Sequence, residues 1–165
     1  RLTFEQVELY HTPLGAAADA AMTAAFERLA ETKDENPRLN IEHRVLKARR
    51  RAGGVVWFDF QELCGGPRSQ NDYLELASQF HTVLVSGVVQ MSPRLASEAR
   101  RFSWLVYVMY DRRVKLVLSA EVPAQELYTE GPLAHEFPRT VSRLHEMRSP
   151  EYLALARRDV ETALT

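Results

Sequence analysis

Two stretches in the second half of the chain, Val83-Leu84-Val85 with Val88-Val89 and Val114-Lys115-Leu116-Val117-Leu118-Ser119, are apolar without alternation. A strand with one face in water alternates polar and apolar residues, so such runs point to strands buried on both faces. Between them Ser92-Pro93 opens a helix predicted to run to about residue 110. Strand, helix, strand is a βαβ unit, expected to be parallel and right-handed. A parallel sheet needs helices to cover it, which commits this part of the chain to the α/β class.

The helix inside that unit carries two apolar stripes. Phe102, Leu105, Val106, Met109 and Tyr110 form one, and Trp104, Tyr107 and Val108 form another on the far side. Two arrangements meet this pattern: a central position between layers, or a face left for a segment lying N-terminal to this region. The second is the expectation. Trp104 and Tyr107 are accordingly the candidate partner-binding residues, and self-association through them is a further expectation.

The first half is strand, helix and hairpin. Residues 2–10 read as a half-buried strand closed by Thr12-Pro13-Leu14-Gly15. Residues 16–31 read as an alanine-rich helix whose stripe is Ala18, Met22, Ala25, Phe26 and Leu29. Residues 39–45 alternate as one strand, residues 55–60 form a second, and residues 47–54 turn between them. The basic run Lys47-Ala48-Arg49-Arg50-Arg51 is then expected at a solvated hairpin tip. Ser69 with Asp72 resembles a capping box at the head of the next helix, where Arg68 and free N–H groups offer an alternative reading as an anion site. The expected division is a strand–helix–hairpin portion over residues 1–66, then a βαβ unit with C-terminal helices over 67–165.

Charge and composition exclude more than they assign. The 21 basic and 22 acidic residues nearly cancel, and the basic run has no interleaved aromatic, so nucleic acid is not an expected partner. No apolar run approaches the roughly 20 residues that cross a bilayer, so membrane contact is expected to be peripheral at most. Cys64 is the lone cysteine and fits a reducing compartment. The five histidines are scattered, with no spacing suited to a metal. The start, Arg1-Leu2-Thr3, reads as a strand entered mid-stride, and the chain is expected to be a piece of a longer one.

Two places suggest chemistry. Ligands of open α/β sheets sit beyond the carboxyl ends of the strands, where Ser119 could sense a phosphate or end a strand. In Glu136-Phe137-Pro138-Arg139-Thr140-Val141-Ser142-Arg143, Pro138 suits the first turn of a helix. Arg139 then falls where the helix dipole disfavours a cation, a small effect that an anion would offset. Arg143 follows on the same face. Pairing with Glu136 and Glu146 is the alternative, and the residues leave both readings open.

Five ordered segments carry a resemblance: residues 57–64 (WFDFQELC), 67–73 (PRSQNDY), 98–102 (EARRF), 110–116 (YDRRVKL), and 137–147 followed by Ser149-Pro150-Glu151-Tyr152-Leu153. Together they resemble the C-terminal half of the ZapE-like family, AAA+-type P-loop cell-division ATPases with mitochondrial quality-control relatives. The resemblance implies a part of a P-loop NTPase-like α/β architecture. It implies ATP and Mg²⁺ in the full-length parent, a polar sensor (Ser119), an arginine finger (Arg139 or Arg143), a bacterial cytoplasmic setting and an FtsZ-like division partner. No lysine here follows a glycine, so the loop G-x-x-x-x-G-K-[ST] is absent from the sequence. It is expected in an N-terminal P-loop portion upstream of Arg1, and the chain alone is expected to be inactive. Val89, Ser103 and Tyr107 depart from the family pattern, which has a proline, an aliphatic residue and an aspartate there.

Overall fold

The structure, a computed structural model, describes residues 7–156. Its first half comprises β1 (Tyr10–His11), α1 (Ala16–Leu29), β2 (Arg38–Ile41), β3 (Arg44–Lys47), β4 (Arg50–Ala52), β5 (Val55–Asp59) and α2 (Phe60–Cys64). Its second half comprises α3 (Gln70–Gln79), β6 (Thr82–Val88), α4 (Ala96–Arg112), β7 (Lys115–Ala120), α5 (Phe137–Glu146) and α6 (Pro150–Leu153). The main sheet has the order β1-β7-β6-β5-β4, and β2 pairs separately with β3. Strands β1, β7, β6 and β5 are parallel, while β4 joins the edge antiparallel to β5.

The non-alternating runs do what their pattern predicts: both faces of the sheet are covered. Val56, Phe58, Val83, Val85, Leu116 and Leu118 pack into the larger core with α2, α3, α4 and α5. Val55, Trp57, Leu84 and Val117 point the other way, onto Met22, Ala25, Phe26 and Leu29 of α1. The predicted α1 stripe is buried in full, with Ala18 as its first member. Phe26 meets Trp57 at 5.8 Å between ring centroids, and the buried Trp57 donates its Nε1–H to Ser86 Oγ at 2.8 Å. A buried indole N–H needs such a partner.

Three local expectations are corrected. The strand read over residues 39–45 is two strands, because Glu42 and His43 both have positive φ (51° and 67°) and turn the chain back on itself. The turn read over residues 47–54 contains β4, with Gly53 alone (φ 57°) supplying the left-handed position. The arginines of that run are not a solvated tip. Arg50 bonds Asp34 at 2.8 Å and Glu27 at 3.0 Å and lies over the Phe26 ring, while Arg49 covers Trp57 and pairs with Asp59 at 3.4 Å. Their stems shield the sheet edge and their heads stay wet. The strand read over residues 2–10 survives among the described residues as Tyr10–His11 only; residues 1–6 lie outside them.

The first stripe of the doubly striped helix faces the sheet, and the second is half-buried on its far side. Ala99, Phe102, Leu105, Val106 and Met109 of α4 are buried over the sheet, and α3 and α5 lie beside it. Phe102 sits between Phe60 (6.2 Å) and Phe137 (6.4 Å). Trp104 and Val108 pack half-buried against the same core. The second stripe is thus largely covered from within the chain.

Candidate functional site

The carboxyl ends of the parallel strands form one rim, the place where open α/β sheets bind ligands. Ser119, at the end of β7, is buried, and its Oγ accepts the Gly87 N–H at 3.0 Å. Gly87 (φ 82°) lies in a register irregularity between Val85 and Val88, where its N–H has left the strand ladder. Ser119 therefore satisfies a donor that the bulge releases. At the end of β6, Ser86 is committed to Trp57, and at the end of β5, Asp59 pairs with Arg49.

The loop from β1 into α1 occupies the strand–loop–helix position that a phosphate-binding P-loop takes. It reads His11-Thr12-Pro13-Leu14-Gly15 and borders a cavity of about 460 Å³. Gly15 precedes α1 without a side-chain cap, and His11 Nε2 lies 3.0 Å from the Glu8 carbonyl. The loop has a single glycine and no lysine, so it does not fit a triphosphate as a Walker-type loop would.

Helix α5 buries Phe137, Thr140 and Leu144 and turns its arginines outward. Phe137 stacks on Phe102, and Thr140 Oγ1 lies 2.7 Å from Ser103 Oγ and donates to Tyr107 Oη at 3.3 Å. Tyr107 and Trp104 are half-buried along this α4–α5 contact, beside Glu136 and Phe137. Arg139 is exposed, and its side chain makes no ion pair or hydrogen bond among the described residues. Arg143 is half-buried with its guanidinium over the Tyr110 ring at 4.6 Å. Tyr110 donates to Glu146 at 2.7 Å, which holds that carboxylate as an acceptor and pushes the phenol pKa up. Neither arginine makes an ion pair with Glu136 or Glu146; Arg143 instead packs on Tyr110, the ring that holds Glu146.

Other residues singled out by sequence resolve as structure. The Ser69–Asp72 capping box is present, with the Ser69 N–H donating to Asp72 at 2.6 Å. Cys64 is buried under Tyr73, and burial pushes its thiol up to about 12, which suits packing and not nucleophilic attack. No group of metal-ligating side chains gathers among the described residues. No helix there is long and apolar enough to cross a membrane. One cluster was read only in part: Arg68, offered by the sequence as a possible anion ligand, meets Arg44, Arg100 and Arg101 around one cavity. Arg68 beside the head of α3 was the signal for it in the sequence, as the alternative anion reading of the capping box; the segment 98–102 carried the resemblance but suggested no site.

A parallel-dominated sheet with helices on both faces is consistent with a P-loop NTPase-like α/β architecture. The AFG1-like ATPase family model matches residues 1–156, and the chain belongs to that family. Among its relatives, cell division protein ZapE of Escherichia coli K12 is 44% identical over 152 residues, covering 92% of this chain and 40% of ZapE. Lactation elevated protein 1 homolog B of Danio rerio is 31% identical, covering 87% of this chain and 36% of its own. The chain therefore spans about 40% or less of the length of these relatives. No solved structure matches it.

Proposed function

We propose that this chain is the part of a cell-division ATPase that presents Arg139, with Arg143 behind it, to ATP and Mg²⁺ held by a separate P-loop portion of the same protein. The observation that carries the reading is Arg139: a cation in the first turn of α5, exposed and without an ion pair among the described residues, on a helix fixed by Phe137, Thr140 and Leu144. A helix dipole disfavours a cation there, and an incoming phosphate would reverse that. The family match and the similarity to ZapE support the ATPase and cell-division parts of the proposal. Turnover would drive remodelling of a division or quality-control partner, an FtsZ-like protein in a bacterial cytoplasm. Ser119, buried and accepting the Gly87 N–H, would act by holding the rim of the sheet. Homo-oligomers would bring one copy's Arg139 to a neighbour's nucleotide.

The alternative, an interaction module docking through Trp104 and Tyr107, takes second place because both are half-buried and Tyr107 is tied to Thr140. Phosphate release from Mg²⁺–ATP tests the main reading: the chain alone gives the buffer rate. Turnover by the chain alone would overturn the assignment of the phosphate loop to another portion.

A further inference from the structure

We infer a second oxyanion-binding site, separate from Arg139 and Arg143, in the cavity where the starts of α3 and α4 converge. The cavity is about 400 Å³ and is lined by Arg44, Arg68, Ser69, Arg100, Arg101 and Trp104, with Pro67 and Ser97 completing the wall. No carboxylate lines it. Four guanidinium groups brought to one place repel each other, and the fold offsets them only in part.

Each arginine's commitments are visible. Arg44 Nη2 donates to both carboxylate oxygens of Asp72, at 3.0 and 2.9 Å, and Nη1 donates to the Pro67 carbonyl. Arg68 donates to the Glu62 carbonyl at 3.0 Å and has the Glu62 carboxylate only at 4.0 Å, while its buried Nε–H finds no acceptor. Arg101 donates to the Cys64 carbonyl at 2.9 Å, a neutral partner that leaves its charge uncompensated. Arg100 is exposed and makes no ion pair or side-chain hydrogen bond among the described residues. Asp72 pairs with Arg44 and Glu62 approaches Arg68, while Arg100 and Arg101 have no ion-pair partner within 4 Å among the described residues.

That residue of charge selects the ligand. A single carboxylate would leave the site cationic, whereas a phosphoryl group carries close to two negative charges at neutral pH. Arginine forks match its oxygens in bidentate geometry. The N-terminus of α3 adds to the same potential: α3 begins at Gln70, so Ser69 stands at its head. Trp104 supplies an apolar wall for the body that bears the phosphoryl group. The site takes a small phosphorylated molecule; it does not rest on the ATPase reading, because neither α5 arginine lines it.

The test uses the full chain, inorganic pyrophosphate as probe and tryptophan fluorescence as signal. Trp57 is buried and bonded to Ser86, so Trp104 carries any response, and Trp104→Phe should abolish it. We expect saturation below about 1 mM that weakens as salt rises. Arg100→Ala removes an unpartnered side chain and should fold as the parent does. It should weaken pyrophosphate about five- to tenfold, with Arg100→Lys intermediate. Arg139→Ala should leave it unchanged. Three results would each overturn the site: no saturable response, equal binding by Arg100→Ala, or loss of binding in Arg139→Ala. Acetate saturating at the same concentration as pyrophosphate would overturn the phosphoryl assignment.

Discussion

Removing Arg44 should destabilise the protein more than neutralising its partner, because the two ends of their ion pair sit in different surroundings. The Asp72 side chain is 0% exposed and that of Arg44 is 41% exposed. Asp72 accepts both contacts from Arg44 and the 2.6 Å bond from the Ser69 N–H. In Arg44→Ala the carboxylate stays buried and keeps only the Ser69 contacts, so the loss approaches that of breaking a buried pair, about 3 kcal/mol. In Asp72→Asn the amide oxygen still caps α3, and the Arg44 head is re-hydrated where it stands. The loss is then a weakened cap plus a screened ion pair, about 1–2 kcal/mol. Urea denaturation of both variants checks the order, and the double variant should cost less than the sum because the residues share one interaction. Asp72→Asn proving as costly as Arg44→Ala, or costlier, would refute the burial argument.

Two further predictions follow from buried ionisable groups. Lys115 is buried against Tyr152, and desolvation first, then the charge of Arg113, pushes its pKa down to about 8. The unfolded chain holds that proton to its ordinary value near 10.5, so between about pH 8 and 10 unfolding takes up a proton and stability rises with pH. Lys115→Met should flatten that rise and stabilise the protein at pH 7; a slope unchanged by the substitution would count against Lys115 as its source. The Cys64 thiol, raised to about 12 by burial, should resist a thiol-disulfide reagent at pH 8 in the folded protein and react at once in denaturant. Fast labelling of the native chain would contradict its placement under Tyr73.

Periodicity made much of this fold legible. The two non-alternating runs became the central strands β6 and β7, and the α1 stripe became the contact with Trp57, Leu84 and Val117. These are local patterns whose spacing has one good packing solution. The β2–β3 hairpin was hidden because its turn, Glu42-His43, uses neither glycine nor asparagine, while the alternation of Leu39, Ile41, His43 and Val45 runs straight through it. The arginine run was misread because sequence shows charge but not the aromatic faces, Phe26 and Trp57, on which the stems lie. Site legibility divides the same way. Arg139 and Arg143 were visible from helix phase alone. Arg44 reaches Asp72, and Arg101 reaches Cys64, only through long-range folding, so their meeting had no local signature.

The exposed Arg139, without an ion pair among the described residues, carries the functional account, and ATP turnover by the full-length protein with Arg139→Ala tests it most directly. An arginine that stabilises charge on a transferring phosphoryl group contributes roughly 10³-fold or more to turnover. The account predicts a loss of that order, with the fold intact because the exposed side chain makes no ion pair or hydrogen bond among the described residues. Arg143→Ala, which also uncovers Tyr110, should lose less turnover and some stability. Turnover in Arg139→Ala within about twofold of the parent, far inside the loss expected of such a residue, would contradict the account.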